Sequence, residues 1–372
     1  TPFALKDAPA LIEAVFPVQK VSFEAQIERT SVQSQTLTGL GSYWKGRKPL
    51  ILVRSIILGS LLPQSDDNEK DLKAFEMLMA FDIESLSKRA IIQNSIKPVD
   101  FISSLHIHNP WDFFTHNIKQ DDDRFNEIDA LQAPFDSNAL GLKIRWRRDI
   151  DNDEKIPLFK KHLEQLDTYE EKATLCKRPE ECDQEWLYQH IWKNINAHYS
   201  KFGVQANSIE NLVKQLGILR FGNEPSVGDV FSGGGSIPFE AARIGCNAFA
   251  SDLNPVACML TWGTKNIIGT SSEQRKVIDG AQQKLVESVE EEILNLEIET
   301  DAEGNRIKAF LCCLEVKCPE TGWQVPLIPS LVVSKSRSVI ATLVPDPESK
   351  RFAIDLSVGV TKDQLKEAEK GT

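Results

Sequence analysis

Three consecutive glycines, Gly233, Gly234 and Gly235, follow an acid that closes one strand-like run, Asp229. They precede an acid that closes the next, Asp252. The tract from Val227 to Gly245 and on through Ala248-Phe-Ala-Ser-Asp reads as strand, glycine bend, helix, strand. Glycines at a bend let the backbone approach a ligand where a Cβ would collide. A carboxylate roughly 20 residues past the first glycine of such a unit meets ribose hydroxyls. The spacing therefore predicts a site for an adenosine-containing cofactor at the carboxyl end of a parallel sheet.

A nicotinamide fingerprint requires G-x-G-x-x-G, and its third glycine is replaced here by Pro238. Asp229 would repel a pyrophosphate but would suit the ammonium and sulfonium of S-adenosylmethionine. Asp229-Val-Phe231-Ser232-Gly233-Gly234-Gly235 resembles the D-P-F-x-G-x-G motif of amino-methylating DNA methyltransferases. The tract from Ser226 to Gly269 resembles a prokaryotic family of large adenine-specific DNA methylases that open with a DUF1156 domain, some of which accompany anti-phage gene clusters. Leu11-Ile-Glu-Ala-Val-Phe-Pro and Tyr43-Trp-Lys-Gly-Arg-Lys-Pro-Leu are similar to the start of that domain. Cys318-Pro-Glu-Thr-Gly-Trp, Leu343-Val-Pro-Asp-Pro and the last Gly-Thr are similar to later pieces of it.

The resemblance implies transfer of a methyl group from S-adenosylmethionine to the exocyclic amine of adenine in DNA. The donor would be held by Asp229, the backbone of Phe231, Ser232, Gly233, Gly234 and Gly235, by Asp252, and by the turn at Asn254. Lys48 opens a Lys-Pro-Leu helix of the kind that flanks the donor pocket. It either reaches the donor's carboxylate or a phosphate, or is the solvent-facing start of a buried helix. Two other classes stay open: a non-catalytic subunit of a defence complex that grips donor or DNA, and a NAD(P)-dependent oxidoreductase.

The expected fold is α/β: a partial Rossmann-like methyltransferase sheet with a helical or mixed insertion and a β-rich C-terminal module. Segments are expected at 1–64 (N-terminal segment), 65–205 (mixed insertion, a candidate for substrate recognition), 206–271 (the cofactor unit), 272–300 (a long amphipathic helix) and 301–372 (the β module). Helix starts are marked by Pro49, Asp183, Ser208 and Asn254-Pro255, and Gly217 reads as a helix stop. Strands are read at Lys308–Leu311, Leu331–Val333, Val339–Leu343 and Phe352–Leu356.

Amino methylation also needs a (Asp/Asn/Ser)-Pro-Pro-aromatic motif to hold the flipped base. No Pro-Pro occurs in the 372 residues, and Asn109-Pro-Trp111 is one proline short. We therefore expect this chain to be the N-terminal part of a longer enzyme, or to rely on a partner subunit. The net charge of −11 opposes nucleic-acid binding, apart from two basic clusters: Lys45, Arg47, Lys48 and Arg54, and the run from Lys143 to Arg148. Seven scattered cysteines without a leader point to a reducing cytosol, and no apolar run reaches membrane-spanning length. His106, His108 and His116 lack a recognised metal spacing, and Cys312, Cys313 and Cys318 contain no C-x-x-C pair, so no metal is expected.

Overall fold

The carboxylate of Glu28, on α1 (Val18–Thr30), caps α2 (Leu50–Leu61). Its oxygens accept hydrogen bonds from Leu50 N–H at 2.9 Å and Ile51 N–H at 3.3 Å. Pro49 precedes them with φ −60°, the value its ring enforces, so α2 begins where the sequence marks it. Burial pushes the Glu28 carboxyl above its usual range, while the two N–H donors pull the other way. This computed structural model describes residues 2–30, 44, 46–268, 270–296, 298–299, 306 and 312–372.

Two further helices, α3 (Asn68–Leu78) and α4 (Ile83–Gln93), start on Asp67 and Asp82, whose side chains accept from backbone N–H groups of the first turn. Arg89 of α4 is buried and donates two hydrogen bonds to Glu24 of α1, at 2.7 and 2.8 Å. It also donates to the carbonyls of Ala80 and Lys177. Leu58, Leu62, Phe75 and Leu78 fill the core between these helices. Each such side chain contributes about 1.5–3 kcal/mol by leaving water. A second apolar cluster gathers Phe101, Phe114 and Phe159, the last on α5 (Asn152–Glu164).

Leu187, Ile191 and Ile195 keep a helical spacing from Asp183 to Ser200, yet the stretch forms two short helices, α6 (Gln184–Tyr188) and α7 (Trp192–His198). Asp183, where the helical reading begins, caps the first. Ser208 caps α8 (Ile209–Phe221), but Gly217 does not end it. The helix runs on to Gly222, whose φ of +77° is the left-handed stop. Gly217 serves close packing instead: a Cβ there would lie 2.3 Å from Pro225 Cδ.

Next come β1 (Ser226–Asp229), α9 (Ser236–Arg243), β2 (Asn247–Ala250) and α10 (Pro255–Gly263). β1 and β2 pair in parallel, with Ser226 opposite Asn247 and Asp229 opposite Ala250. Val227 and Ala248 pack against the first core cluster. Phe249 is 64% exposed and Val230 59%, so the opposite side of the pair is bare. Parallel strands are ordinarily covered on both faces.

The chain divides into two compact units, Thr1–Ile278 and Asp279–Thr372. The long helix α11 spans Ser272–Asn295. In the second unit, β3 (Leu314–Lys317) and β4 (Gln324–Leu327) form an antiparallel hairpin. β5 (Val332–Ser334), β6 (Val339–Asp346) and β7 (Arg351–Val358) form an antiparallel sheet in that order. The strand read at Lys308–Leu311 lies outside the described residues. No helix among the described residues is long and apolar enough to cross a membrane.

One buried acid gives the fold a pH dependence. Burial, reinforced by the charge of Glu28, pushes the Glu180 carboxyl up to about 7, although Arg178 Nε lies 3.2 Å away. The unfolded carboxyl titrates near 4.5. Between those values the folded state keeps a proton that the unfolded state has lost, so this group's stabilisation falls as pH rises. Glu180→Gln should flatten the stability profile between about pH 5 and about pH 7. Urea titrations across that range check it, and parallel wild-type and variant curves would show that Glu180 is not the titrating group.

Candidate functional site

The glycine bend is held from three directions. At the end of β1, Asp229 Oδ1 accepts from Phe231 N–H at 3.0 Å. The parallel ladder continues past the strands: Ser251 N–H donates to the Asp229 carbonyl at 2.9 Å, and Ser232 N–H to the Ser251 carbonyl at 3.1 Å. Gly235 N–H closes the turn on the Ser232 carbonyl at 2.7 Å. Gly233 and Gly235 have φ of +50° and +79°, which other residues adopt only with strain. A Cβ on Gly235 would lie 3.0 Å from Thr261 Cα of α10. Thr261 Oγ1 in turn donates toward Ser232 Oγ at 3.1 Å and the Gly233 carbonyl at 3.3 Å.

Asp252 ties the bend to the end of β2. Oδ2 accepts from Gly233 N–H and Oδ1 from Asn254 N–H, each at 2.9 Å. The N–H groups of Asn254 and Gly233 hold its carboxyl below the usual range. Asn254 spends its side-chain oxygen on Val256 N–H at 2.9 Å, the expected cap of α10. No cation among the described residues forms an ion pair with Asp229 or Asp252.

Trp44, Arg47 and Lys48, on the approach to α2, share a cavity with Asp229, Ser232 and Ser236. Thus Lys48 and the glycine bend, far apart in sequence, meet in one place. The cavity measures about 80 Å³, small beside the roughly 300 Å³ and upward of ligand pockets. Trp44 accounts for this: its Nε1 lies 2.6 Å from where a Cβ on Gly233 would be. Ser236 Oγ, at the head of α9, is buried without a hydrogen-bond partner. The Phe231 side chain is 82% exposed and points away from the core. Neither Trp44, Ser236 nor Thr261 was singled out by sequence reasoning. Trp44 stood within the Tyr-Trp-Lys-Gly-Arg run, whereas nothing local marks Thr261.

Other sequence candidates are committed to packing. Pro110 is buried in a short 3-10 turn, Asn109 Nδ2 donates to Asp112 Oδ1 at 2.8 Å, and Trp111 Nε1 donates to the Ile128 carbonyl at 3.1 Å. His106 and His108 are exposed, while His116 packs edge-on against Trp111 at 4.7 Å. Arg54, counted among cations available to phosphate, is instead interior and paired with Glu240 at 2.9 Å. Lys45 lies outside the described residues. Arg147 is paired with Asp149, and Lys155 lies over the Trp146 ring. Cys312 and Cys313 are exposed and Cys318 is half-buried; hydrogen bonds from Thr321 lower the Cys318 thiol. No group of three or more metal-ligating side chains is assembled among the described residues.

Residues 15–78 match the family model described as "Protein of unknown function (DUF1156)". The chain carries a DUF1156 segment. That segment contains α1, α2, α3 and the Trp44–Lys48 approach, hence one wall of the cavity, while the glycine bend lies outside it. Searches of the curated proteins and of the solved structures gave no match.

The Trp44 contact makes a discriminating substitution available. Gly233→Ala should lower the unfolding free energy by about 1–2 kcal/mol, from the left-handed backbone and the displaced indole. Gly228→Ala, whose methyl would meet nothing within 4 Å, should change it by less than about 0.5 kcal/mol. Equal effects in denaturant titration would mean that Trp44 does not rest on the bend.

Proposed function

We propose that the glycine bend binds S-adenosylmethionine, and that the chain belongs to a methyltransferase acting on an exocyclic amine of DNA, with adenine the preferred base. The observation that carries this reading is a bare-backbone bend bearing two acids that pair with no cation among the described residues. The donor's ammonium and sulfonium supply the missing positive charge. Its ribose hydroxyls would meet lone pairs left on Asp252, and its amino-acid end would lie toward Asp229. The buried, unpartnered Ser236 hydroxyl stands at the head of α9, where a carboxylate is favoured, with Lys48 on the same cavity. A pyrophosphate would face two carboxylates, which weighs against the oxidoreductase reading.

S-adenosylmethionine, when bound, supplies an activated methyl group for in-line displacement. The residues here would orient it, exclude water with Trp44, and hold its charge, so positioning provides most of the acceleration. Entry requires the Trp44–Lys48 approach to swing off the bend, since the cavity is too small for an adenosyl ligand.

A second reading has its own support. With Asn109-Pro-Trp111 used for packing, no described segment offers the base-gripping motif, so the chain would bind donor or DNA for another polypeptide. The bare face beside Phe249 is where that polypeptide would complete the sheet. A place in a cytosolic anti-phage complex belongs to the proposal and rests on resemblance alone.

Titration calorimetry with S-adenosylmethionine, S-adenosylhomocysteine and NADH tests the assignment. Asp229→Asn should weaken the first two about 10-fold, equivalent to 1.4 kcal/mol. Asp252→Ala should weaken them further, because it also releases Gly233 N–H. Tighter binding of NADH, or donor affinity indifferent to both changes, would remove the reading.

A further inference from the structure

We propose that α11 (Ser272–Asn295) is a self-association surface that pairs antiparallel with α11 of a second copy of this chain. None of its residues is buried. Leu285 is 64% exposed, Val286 46% and Val289 45%, and Leu296, one residue past the helix, is 66% exposed. At 3.6 residues per turn, Ile278, Leu285, Val289 and Leu296 fall on one stripe, with Val286 and Ile293 beside it. An apolar stripe along a helix of this length is a packing surface, because a helix wholly in water gains nothing from it.

Charge selects the occupant and its direction. The first half of α11 carries Arg275 and Lys276 against Glu273 and Asp279; Lys284 stands at the middle, and Glu287, Glu290, Glu291 and Glu292 follow it. Within the described residues, Arg306 approaches only Glu290 of that run, at 3.8 Å. A parallel pair would set four carboxylates against four. An antiparallel pair centred between Leu285 and Val289 sets Leu285 opposite Val289 and Ile278 opposite Leu296, apolar on both rows. It also brings Lys284 level with Glu290 and Glu291 of the other copy. The acidic half occupies the helix C-terminus, where the macrodipole disfavours it, and the partner's N-terminus would offset that cost. The stripe is thus complementary to itself in one orientation only.

A contact made by one helix of each copy falls in the weak, transient class, so monomer and dimer should exchange in the micromolar range. Sedimentation velocity of the full 372-residue chain, from about 1 to about 200 μM, should show dimers that dissociate on dilution and in high salt. Leu285→Asp with Val289→Asp should abolish association, with helix content by circular dichroism unchanged. Lys284→Glu should weaken it at least about 5-fold, and adding Glu291→Lys should restore it. Monomer throughout the range would overturn the proposal, as would dimers indifferent to the double Asp variant. Failure of the charge exchange to restore association would overturn the antiparallel arrangement. None of these outcomes depends on methyl-donor binding.

Discussion

The ion pair between Arg54 and Glu240 holds together the two parts of the chain from which the site is made. Arg54 projects from α2, whose approach carries Lys48. Glu240 projects from α9, which the glycine bend begins. Both side chains are almost fully enclosed, at 2% and 0% exposure. Arg54 also donates to the Tyr188 hydroxyl at 2.7 Å, and Arg243 adds two more hydrogen bonds to Glu240. Burial alone would lower the Arg54 guanidinium, but Tyr188 and Glu240 outweigh it and hold it charged. Breaking such a pair leaves an uncompensated charge inside and costs about 3–5 kcal/mol. Geometry is the gain: the pair ties α2 to α9, and so brings Arg47 and Lys48 to the cavity beside the bend.

Two other arginines extend the same principle. Arg89 ties α1 to α4 through Glu24. Arg220 donates to carbonyls of Leu5, Ala8, Pro9, Leu61 and Leu62, closing the end of α2 against the chain's first residues. Each guanidinium presents five donors in a fixed fork, so one side chain satisfies several carbonyls that would otherwise be buried without partners. With Lys88 and Arg178 also buried, this acidic protein spends five cations internally among the described residues, and Arg54 is thereby removed from any phosphate-binding surface.

Local signals were legible where a single residue decides the backbone. Pro49, Asp183, Ser208 and Asn254-Pro255 start helices because their side chains or ring geometry act within one turn. The run from β1 to β2 was legible because glycines and alternating apolar residues have few other uses together. Gly217 misled, since its role is contact with Pro225, a packing demand that no local pattern expresses. The break between α6 and α7 was hidden by an apolar spacing that continues across the turn. Trp44 and Thr261 were illegible for the same reason as Arg54: each acts on a partner remote in sequence, and only folding brings the two together.

The relation between the acids and the bend is the last constraint on function. Asp252 receives two backbone N–H groups, which hold its carboxyl below the usual range, and Asp229 receives one. Hydrogen bonds from N–H groups fix a carboxylate without neutralising it, and its field still reaches the cavity. A cation placed there would displace no ion-paired partner of either acid among the described residues. The Trp44 indole would have to shift, and its flat, negative face favours a positive ligand over an anionic one. On the proposed reading the two acids would select by sign, while Arg47 and Lys48 on the same cavity would meet the carboxylate of a zwitterionic ligand.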